Sequence, residues 1–314
     1  MSRAETDTDQ TNARVVWYYY MGNLTQQEIA DRLGLTRLRV NRIIGQARAD
    51  GSVRIEVRHP LAECVSLAAA LIEQFGLKGA AVVPALPDVA EQRRVIGEEV
   101  GLMLDTLLRD NQSLGVGWGR TLRASLARLP RRTGGRNWVV SLMGGLTRGS
   151  GINTFEVSTQ FADLLGAECW YLAAPLYCPS EESRRQLLAH DELADVIRRA
   201  RAVDIALATC GDMTASSMIA SLPMVRAHGT ELAAHGAVGD LLGSFLDGDG
   251  QLVKHALNRQ VMALSPDEMK IVPVSILASG GLHKVPIIRA AVGARYVNHL
   301  ITDEACARAL LDAS

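Results

Sequence analysis

Lysine is nearly missing from this chain of 314 residues. Only Lys78, Lys254, Lys270 and Lys284 carry it, against 29 arginines. Most positive charge therefore rests on guanidinium groups, which stay ionised and pair as forks with carboxylates, phosphates and base edges. The formal net charge is −1. That excludes a general polycation, so any affinity for nucleic acid must come from a local patch. No apolar run approaches the ~20 residues of a membrane span, so no membrane partner is expected. The five cysteines (Cys64, Cys169, Cys178, Cys210, Cys306) are scattered without a C-x-x-C pair. This argues against structural zinc and for a reducing compartment. Residues 1–13 are polar and partly acidic, unlike a signal peptide, and read as a disordered tail of a cytoplasmic protein.

What is present is a large apolar fraction, 48% of residues, with 21% charged, which suits a globular chain with a sizeable core. Its length suggests two domains. The first is expected over residues 1–58. Asn12 to Met21 reads as a helix that packs its tyrosines, Tyr18 to Tyr20, into a core. Leu24 to Gly51 reads as two short helices and a turn. Thr25 and Glu28 have capping-box spacing, with Ile29, Ala30 and Leu33 facing inward. Gly34 ends the first helix and Thr36 caps the second, whose inward positions are Val40, Ile43, Ile44 and Ala47.

Arg37, Leu38, Arg39, Asn41 and Arg42 are then left outward at the start of the second helix. This is the arrangement of a helix-turn-helix, whose second helix presents its first turns to the major groove. From Arg32 to Arg58 seven arginines face two acidic residues, a local balance of +5. Such a patch supplies phosphate contacts. Thr36, Arg37, Leu38, Arg39, Asn41 and Arg42 are the expected DNA-contacting set, and double-stranded DNA is the expected partner. Ser52 to Arg58 alternates apolar and charged residues, as a half-exposed strand does, with Arg54 and Arg58 toward phosphate.

His59-Pro60 punctuates the chain and opens a second domain, 59–314. Leu61 to Phe75 reads as a linker helix with a stripe of Leu61, Val65, Ala68, Leu71, Ile72 and Phe75, able to pack on its own domain or on another subunit. Beyond Gly79, apolar runs at 80–83, 113–118, 137–145, 167–175, 203–211, 253–258 and 270–281 read as strands. Helices are expected at 94–109, 121–129, 153–165 and 182–199. Continuous apolar strands alternating with helices imply a doubly wound α/β domain, which binds ligands beyond the carboxyl ends of its strands.

At those ends stand the polar candidates. Gly115-Val116-Gly117-Trp118-Gly119-Arg120-Thr121 follows a strand and opens a helix; it is either a tight turn or an anion-binding loop. It matches neither the dinucleotide fingerprint nor the Walker loop. Asn153, after the pair Gly144-Gly145, can cap a helix, meet ligand hydroxyls, or do both. Asp240 and Asp247 stand two turns apart if their stretch is helical. Lys284 follows Gly280-Gly281 as a phosphate partner, with His283 beside it. No nucleophile with a base and no carboxylate pair has diagnostic spacing, and nothing singles out Asp204 or Asp212. No catalytic residue, cofactor or metal is expected.

Taken together, the ending ARADGSVRIEV of the helix-turn-helix, then GVGWGRT, GG at 144–145, AAP at 173–175, GAVGDLLGSFLD and SGGLHKVPIIRAAVGARYVNHLITDE resemble the SorC/DeoR-type sugar-binding transcriptional regulators over residues 14–312. The resemblance implies a sugar-phosphate-isomerase-like domain used as an effector sensor, phosphorylated sugars or polyols as effectors, and a homo-oligomer, usually a tetramer. By position it puts Gly117, Gly119, Arg120, Thr121 and Lys284 at the effector phosphate, and Asn153 and Asp240 at its hydroxyls. Thr209-Cys210-Gly211 departs from the Gly-hydrophobic-Gly turn common in the family. Within the family the sequence resembles regulators of polyol catabolism such as that of erythritol. The alternative is a sugar-phosphate isomerase or deaminase with an accessory N-terminal domain.

Overall fold

A computed structural model describes residues 3–22, 24–49, 52–53, 60–133, 135–146 and 153–312. The chain divides into two compact units, Met1–Arg58 and His59–Ser314.

The first unit holds helices α1 (Arg3–Tyr20), α2 (Gln26–Leu33) and α3 (Arg37–Ala49). Its core is Val15, Ile29, Ala30, Val40, Ile43 and Ile44, with Tyr18, Tyr19 and Tyr20 packed against it. The tyrosines are thus core residues, while Trp17 on the same helix is exposed. The expected tail is instead the start of α1, helical from Arg3. The reason is that polarity removes packing, not helix formation, and residues 3–20 contain neither proline nor glycine to break it. Of the strand expected over 52–58, only Ser52 and Val53 are described, in a bend; Arg54 and Arg58 lie outside the described residues.

The second unit is built on a seven-stranded parallel sheet. Its members are β1 (Gly79–Val83), β2 (Ser113–Val116), β3 (Trp138–Ser141), β4 (Glu168–Trp170), β5 (Ile205–Ala208), β9 (Val274–Ala278) and β10 (His299–Asp303). They lie in the order β1-β10-β9-β5-β2-β3-β4. Side chains alternate between two cores, as period-2 strands buried on both faces must. Leu114, Val139, Ile205, Leu207, Ile276 and Ile301 join one core, which α5 (Val89–Leu107) and α7 (Thr154–Leu165) complete. Val140, Ala206, Ala208, Leu277 and Leu300 join the other. There α4 (Pro60–Phe75) packs on its own domain through Cys64 and Leu71, leaving Val65 of the expected stripe exposed.

After β2 the chain builds outward to β3 and β4, then returns to β5 on the other flank of β2 and builds the opposite way. The carboxyl ends of β2 and β5 are therefore the topological switch point, where connections part and leave a crevice. Past β5 the chain breaks at Thr209 and enters a small antiparallel sheet of β6 (Cys210–Asp212), β7 (Ala237–Leu241) and β8 (Ser244–Asp247).

Several elements differ from expectation. Residues 237–247 form a hairpin, not a helix: Leu242 and Gly243 both have positive φ (51° and 82°), the conformation of a two-residue type I′ turn. Residues 253–258 are not a strand: Val253 N still donates to Phe245 O (3.0 Å), but residues 256–260 turn into a short helix, and the Asn258 amide accepts from Phe245 N (2.7 Å) and donates to Phe245 O (2.9 Å). The helix expected at 182–199 is two, Glu181–Leu188 and Asp191–Arg201, each opened by its own acidic first turn. The helix after the glycine loop, α6, is short (Arg120–Ser125).

Candidate functional site

A cleft of about 610 Å³ opens at the switch point, lined from the exits of β2 and β5, the small sheet, and the turn after β9. Hydrogen bonds stitch the two exits together. Gly117 N donates to Leu207 O (2.9 Å) and Thr209 Oγ1 to Trp118 O (3.1 Å). Gly119 has φ 116° and ψ 165°, a conformation that side chains disfavour, and it turns the chain directly into α6. The α6 backbone lies flush on α5 because Gly97 and Gly101 leave room: a Cβ at either would overlap the carbonyl of Thr121 or Ser125. The first-turn N–H groups of α6 have no carbonyl within the helix to bond.

The polar groups fall into two sets. Arg93, from α5, and Arg120 are near enough to repel; burial first, and Arg120 second, pull the Arg93 pKa down. Neither forms a hydrogen bond or ion pair with a described residue. The same cleft holds two buried carboxylates. Asp240 accepts from Gly243 N (3.0 Å), yet burial outweighs this bond and the nearby Lys284 charge and lifts its pKa to about 7. Asp212 accepts from Thr214 N (2.8 Å) and Thr214 Oγ1 (2.6 Å), and its other oxygen is 3.4 Å from His283 Nε2. Lys284 is partly buried, its ammonium donating to Cys210 O (2.9 Å) and Ser279 Oγ (3.3 Å). The glycine turn before it is held by Asp303, whose carboxylate accepts from Gly281 N (2.6 Å). A second chamber of about 300 Å³ shares Arg93, Thr121, His283 and Lys284 with the cleft.

Of the residues expected at the effector, Gly119, Arg120, Thr121, Asp240 and Lys284 line the cleft together. Two do not. Gly117 is packed beneath it, where a Cβ would stand 3.1 Å from Leu242 and 3.2 Å from Leu207 O. Asn153 is buried at the start of α7 with its amide spent on the backbone, accepting from Leu146 N (3.1 Å) and donating to Leu146 O (2.8 Å). Asn153 thus pins the loop mouth after β3 and is not among the residues that line the cleft. The cleft also brings in Arg93, Asp212, Ser217 and His283, which sequence spacing did not gather.

Among the described residues one cluster, His228, Glu231 and His255, has metal-ligand chemistry. His255 Nδ1 accepts from Leu257 N (3.2 Å), so Nε2 bears the proton and faces Glu231 (3.2 Å) as a donor. That tautomer is the wrong one for ligation through Nε2.

In the first unit the turn chemistry is as the spacing requires. Thr25 and Glu28 complete a capping box, and Gly34 ends α2 with φ 66°. Thr36 Oγ1 accepts from Arg39 N (3.2 Å) at the start of α3. Arg37, Leu38, Arg39, Asn41 and Arg42 are all exposed. Asn41 Oδ1 accepts from Gln26 Nε2 (3.2 Å), a bond linking α3 to α2. The side chains of Arg37, Arg39 and Arg42 form no hydrogen bond or ion pair with a described residue.

Comparison with known proteins fits both units. Residues 59–312 match the family described as "Putative sugar-binding domain", and residues 9–50 match "Sigma-70, region 4". The chain belongs to the SorC/DeoR-type sugar-binding transcriptional regulators. It is 30% identical over 309 residues to the erythritol catabolism regulatory protein EryD of Brucella abortus, covering 97% of this chain and 98% of that one. It is 32% identical over 307 residues to the transcriptional regulator LsrR of Escherichia coli, covering 95% and 93%. The full-length sorbitol operon regulator SorC of Klebsiella pneumoniae superposes with a TM-score of 0.75 at 25% identity, covering 97% of this chain and 99% of that one. These relatives are named as regulators, which does not favour the isomerase or deaminase alternative. Among the described residues no helix is long and apolar enough to cross a membrane.

Proposed function

We propose that this regulator binds operator DNA through α3 and takes a phosphorylated sugar or polyol in the switch-point cleft. One observation carries the effector reading. Two guanidinium groups that form no hydrogen bond or ion pair with a described residue, Arg93 and Arg120, share a cleft with two buried carboxylates, Asp212 and Asp240. A ligand that satisfies both sets is anionic at one end and rich in hydroxyl donors at the other, which describes a sugar or polyol phosphate. Thr121 and the open N–H groups of α6 extend the anion seat. A carbohydrate-operon role agrees with the named roles of EryD and SorC. Calorimetric titration with erythritol 4-phosphate, ribitol 5-phosphate and glucose 6-phosphate, each beside its unphosphorylated parent, tests this. Binding of at least one phosphate ester, at least tenfold tighter than its parent, is expected; equal affinity for esters and parents would remove the phosphate from the proposal.

On the DNA side, Thr36 positions the first turn, and Arg37, Leu38, Arg39, Asn41 and Arg42 form the reading face. Arg39→Ala should cost ~1–3 kcal/mol against a selected operator and relax preference at one base pair, the size of one bidentate base contact. Unchanged preference, measured on duplexes varied one position at a time, would place the reading face elsewhere. The family resemblance implies a homo-oligomer, usually a tetramer, and the two-fold symmetry of such an assembly matches a symmetric operator. Sedimentation showing only monomer on saturated operator would remove that element.

A further inference from the structure

Ser217 is buried to 9% exposure in the cleft wall, and its hydroxyl has no hydrogen-bond partner among the described residues. Its backbone is fully occupied, with N donating to Thr214 O (3.0 Å) and O accepting from Ser221 N (3.0 Å). The side chain is therefore held in place by a turn that does not use its oxygen. A buried hydroxyl left unpaired costs free energy that native structures rarely tolerate without a reason. The adjoining backbone says what the oxygen faces. A Cβ added at Gly211 would overlap the Asp240 carboxylate and come within 2.6 Å of Ser217 Oγ, so both oxygens crowd the same side of Gly211. Asp212, one residue on, spends one carboxylate oxygen on Thr214 and lines the same wall.

We propose that Ser217 is a specificity-determining residue that, beside Asp240, reads one hydroxyl on the effector's carbon chain, away from the anion seat at Arg93 and Arg120. The inference rests on the effector reading given above and adds the residue that ranks one polyol or sugar against another. A hydroxyl is suited to the place because it can donate to Asp240 while accepting from Ser217, satisfying both groups at once. A carbon chain lacking that hydroxyl leaves two buried polar groups unpaired, the situation in which binding sites discriminate most strongly. A second phosphate is excluded from this end by the two carboxylates.

The test pairs Ser217→Ala with the same three phosphate esters and their monodeoxy analogues, titrated calorimetrically. In the wild type, one deoxy position of a binding ester should cost roughly five- to tenfold in affinity, the yield of one net hydrogen bond. In Ser217→Ala that same position should cost clearly less than in the wild type, the remainder being the bond to Asp240, while the other positions keep their wild-type penalties. The melting temperature of Ser217→Ala without ligand should match or exceed that of the wild type, since no protein bond is lost. Equal weakening of parent and all deoxy esters, or a lowered melting temperature, would make Ser217 a structural residue and overturn the inference. Failure of the wild type to bind any of the esters would instead overturn the effector reading, and this inference with it. The Gly211→Ala variant gives a separate check: its Cβ should abolish ester binding by filling the contact between Asp240 and Ser217, and unchanged binding would overturn the assignment.

Discussion

Asp240→Asn is expected to melt above the wild type at pH 8 and to match it near pH 4. The carboxyl lies on the small sheet, fully buried, and burial lifts its pKa from 3.8 to about 7. Its sign follows from linkage. Below pH 4 the folded and unfolded chains both hold the proton, so burial carries no ionic cost. Between pH 4 and 7 the unfolded chain releases the proton while the folded chain retains it, and stability falls as pH rises. Above 7 the whole cost is present, on the order of 4 kcal/mol for a shift of this size. An asparagine keeps the acceptor for Gly243 N and carries no charge at any pH, so it removes the slope. In a domain of this length the difference at pH 8 corresponds to roughly 10 °C. Thermal melts of both proteins from pH 4 to pH 8 check it; a difference that does not change with pH would mean that Asp240 ionises as an exposed carboxyl does.

That cost has a functional counterpart. In the cleft proposed for the effector, a carboxyl poised near neutrality is available both to accept from and to donate to a sugar hydroxyl, and perturbed groups of this kind concentrate at functional sites. The part of the burial cost that Gly243 N and Lys284 leave uncompensated would be relieved by a ligand that hydrogen-bonds the acid. A regulator needs such a differential, because an effector shifts a conformational equilibrium only by binding one state better than another.

How much of this was legible in the sequence depended on how local each signal was. The capping box of Thr25 and Glu28, the left-handed Gly34 and the Thr36 cap are each written within four residues, and their geometry follows from that spacing. The parallel strands were legible because their apolar runs are buried on both faces. The hairpin at 237–247 was not, since Leu242-Gly243 adopts a turn usually announced by Asn-Gly or Asp-Gly. The cleft was half legible. Arg120, Thr121 and Lys284 follow strands and invited attention, as Asp240 did through the resemblance, but Arg93, Asp212 and Ser217 come together only because β5 returns beside β2. Gly97 and Gly101 were a readable trace: two glycines four apart in a helix leave a groove, and α6 fills it. Asn153 shows the opposite case, for its cap role at the start of α7 was legible, while its bonds to Leu146, which draw it toward the loop after β3, were not.

The anion seat makes the second large claim. Arg93→Gln and Arg120→Gln should each weaken phosphate esters by ~1.5–3 kcal/mol, the range for a hydrogen bond to a charged group, or roughly ten- to a hundredfold. The double variant should lose more than either alone but less than their product, because both guanidinium groups address one anion and each softens the loss of the other. The unphosphorylated parents should be nearly indifferent. Stability without ligand should move the other way. Arg93 is partly buried and repelled by Arg120, so removing either charge relieves that repulsion in the protein without ligand. Weaker ester binding together with an unchanged or higher melting temperature is thus the signature of a seat built for a ligand at the protein's expense. Calorimetry with erythritol 4-phosphate and erythritol, beside thermal melts of the three variants, reads both effects. Equal losses for ester and parent would mean that these arginines do not face the phosphate. A lowered melting temperature in both single variants would mean that they serve the fold, and the cations that hold the effector would then have to be sought at Lys284.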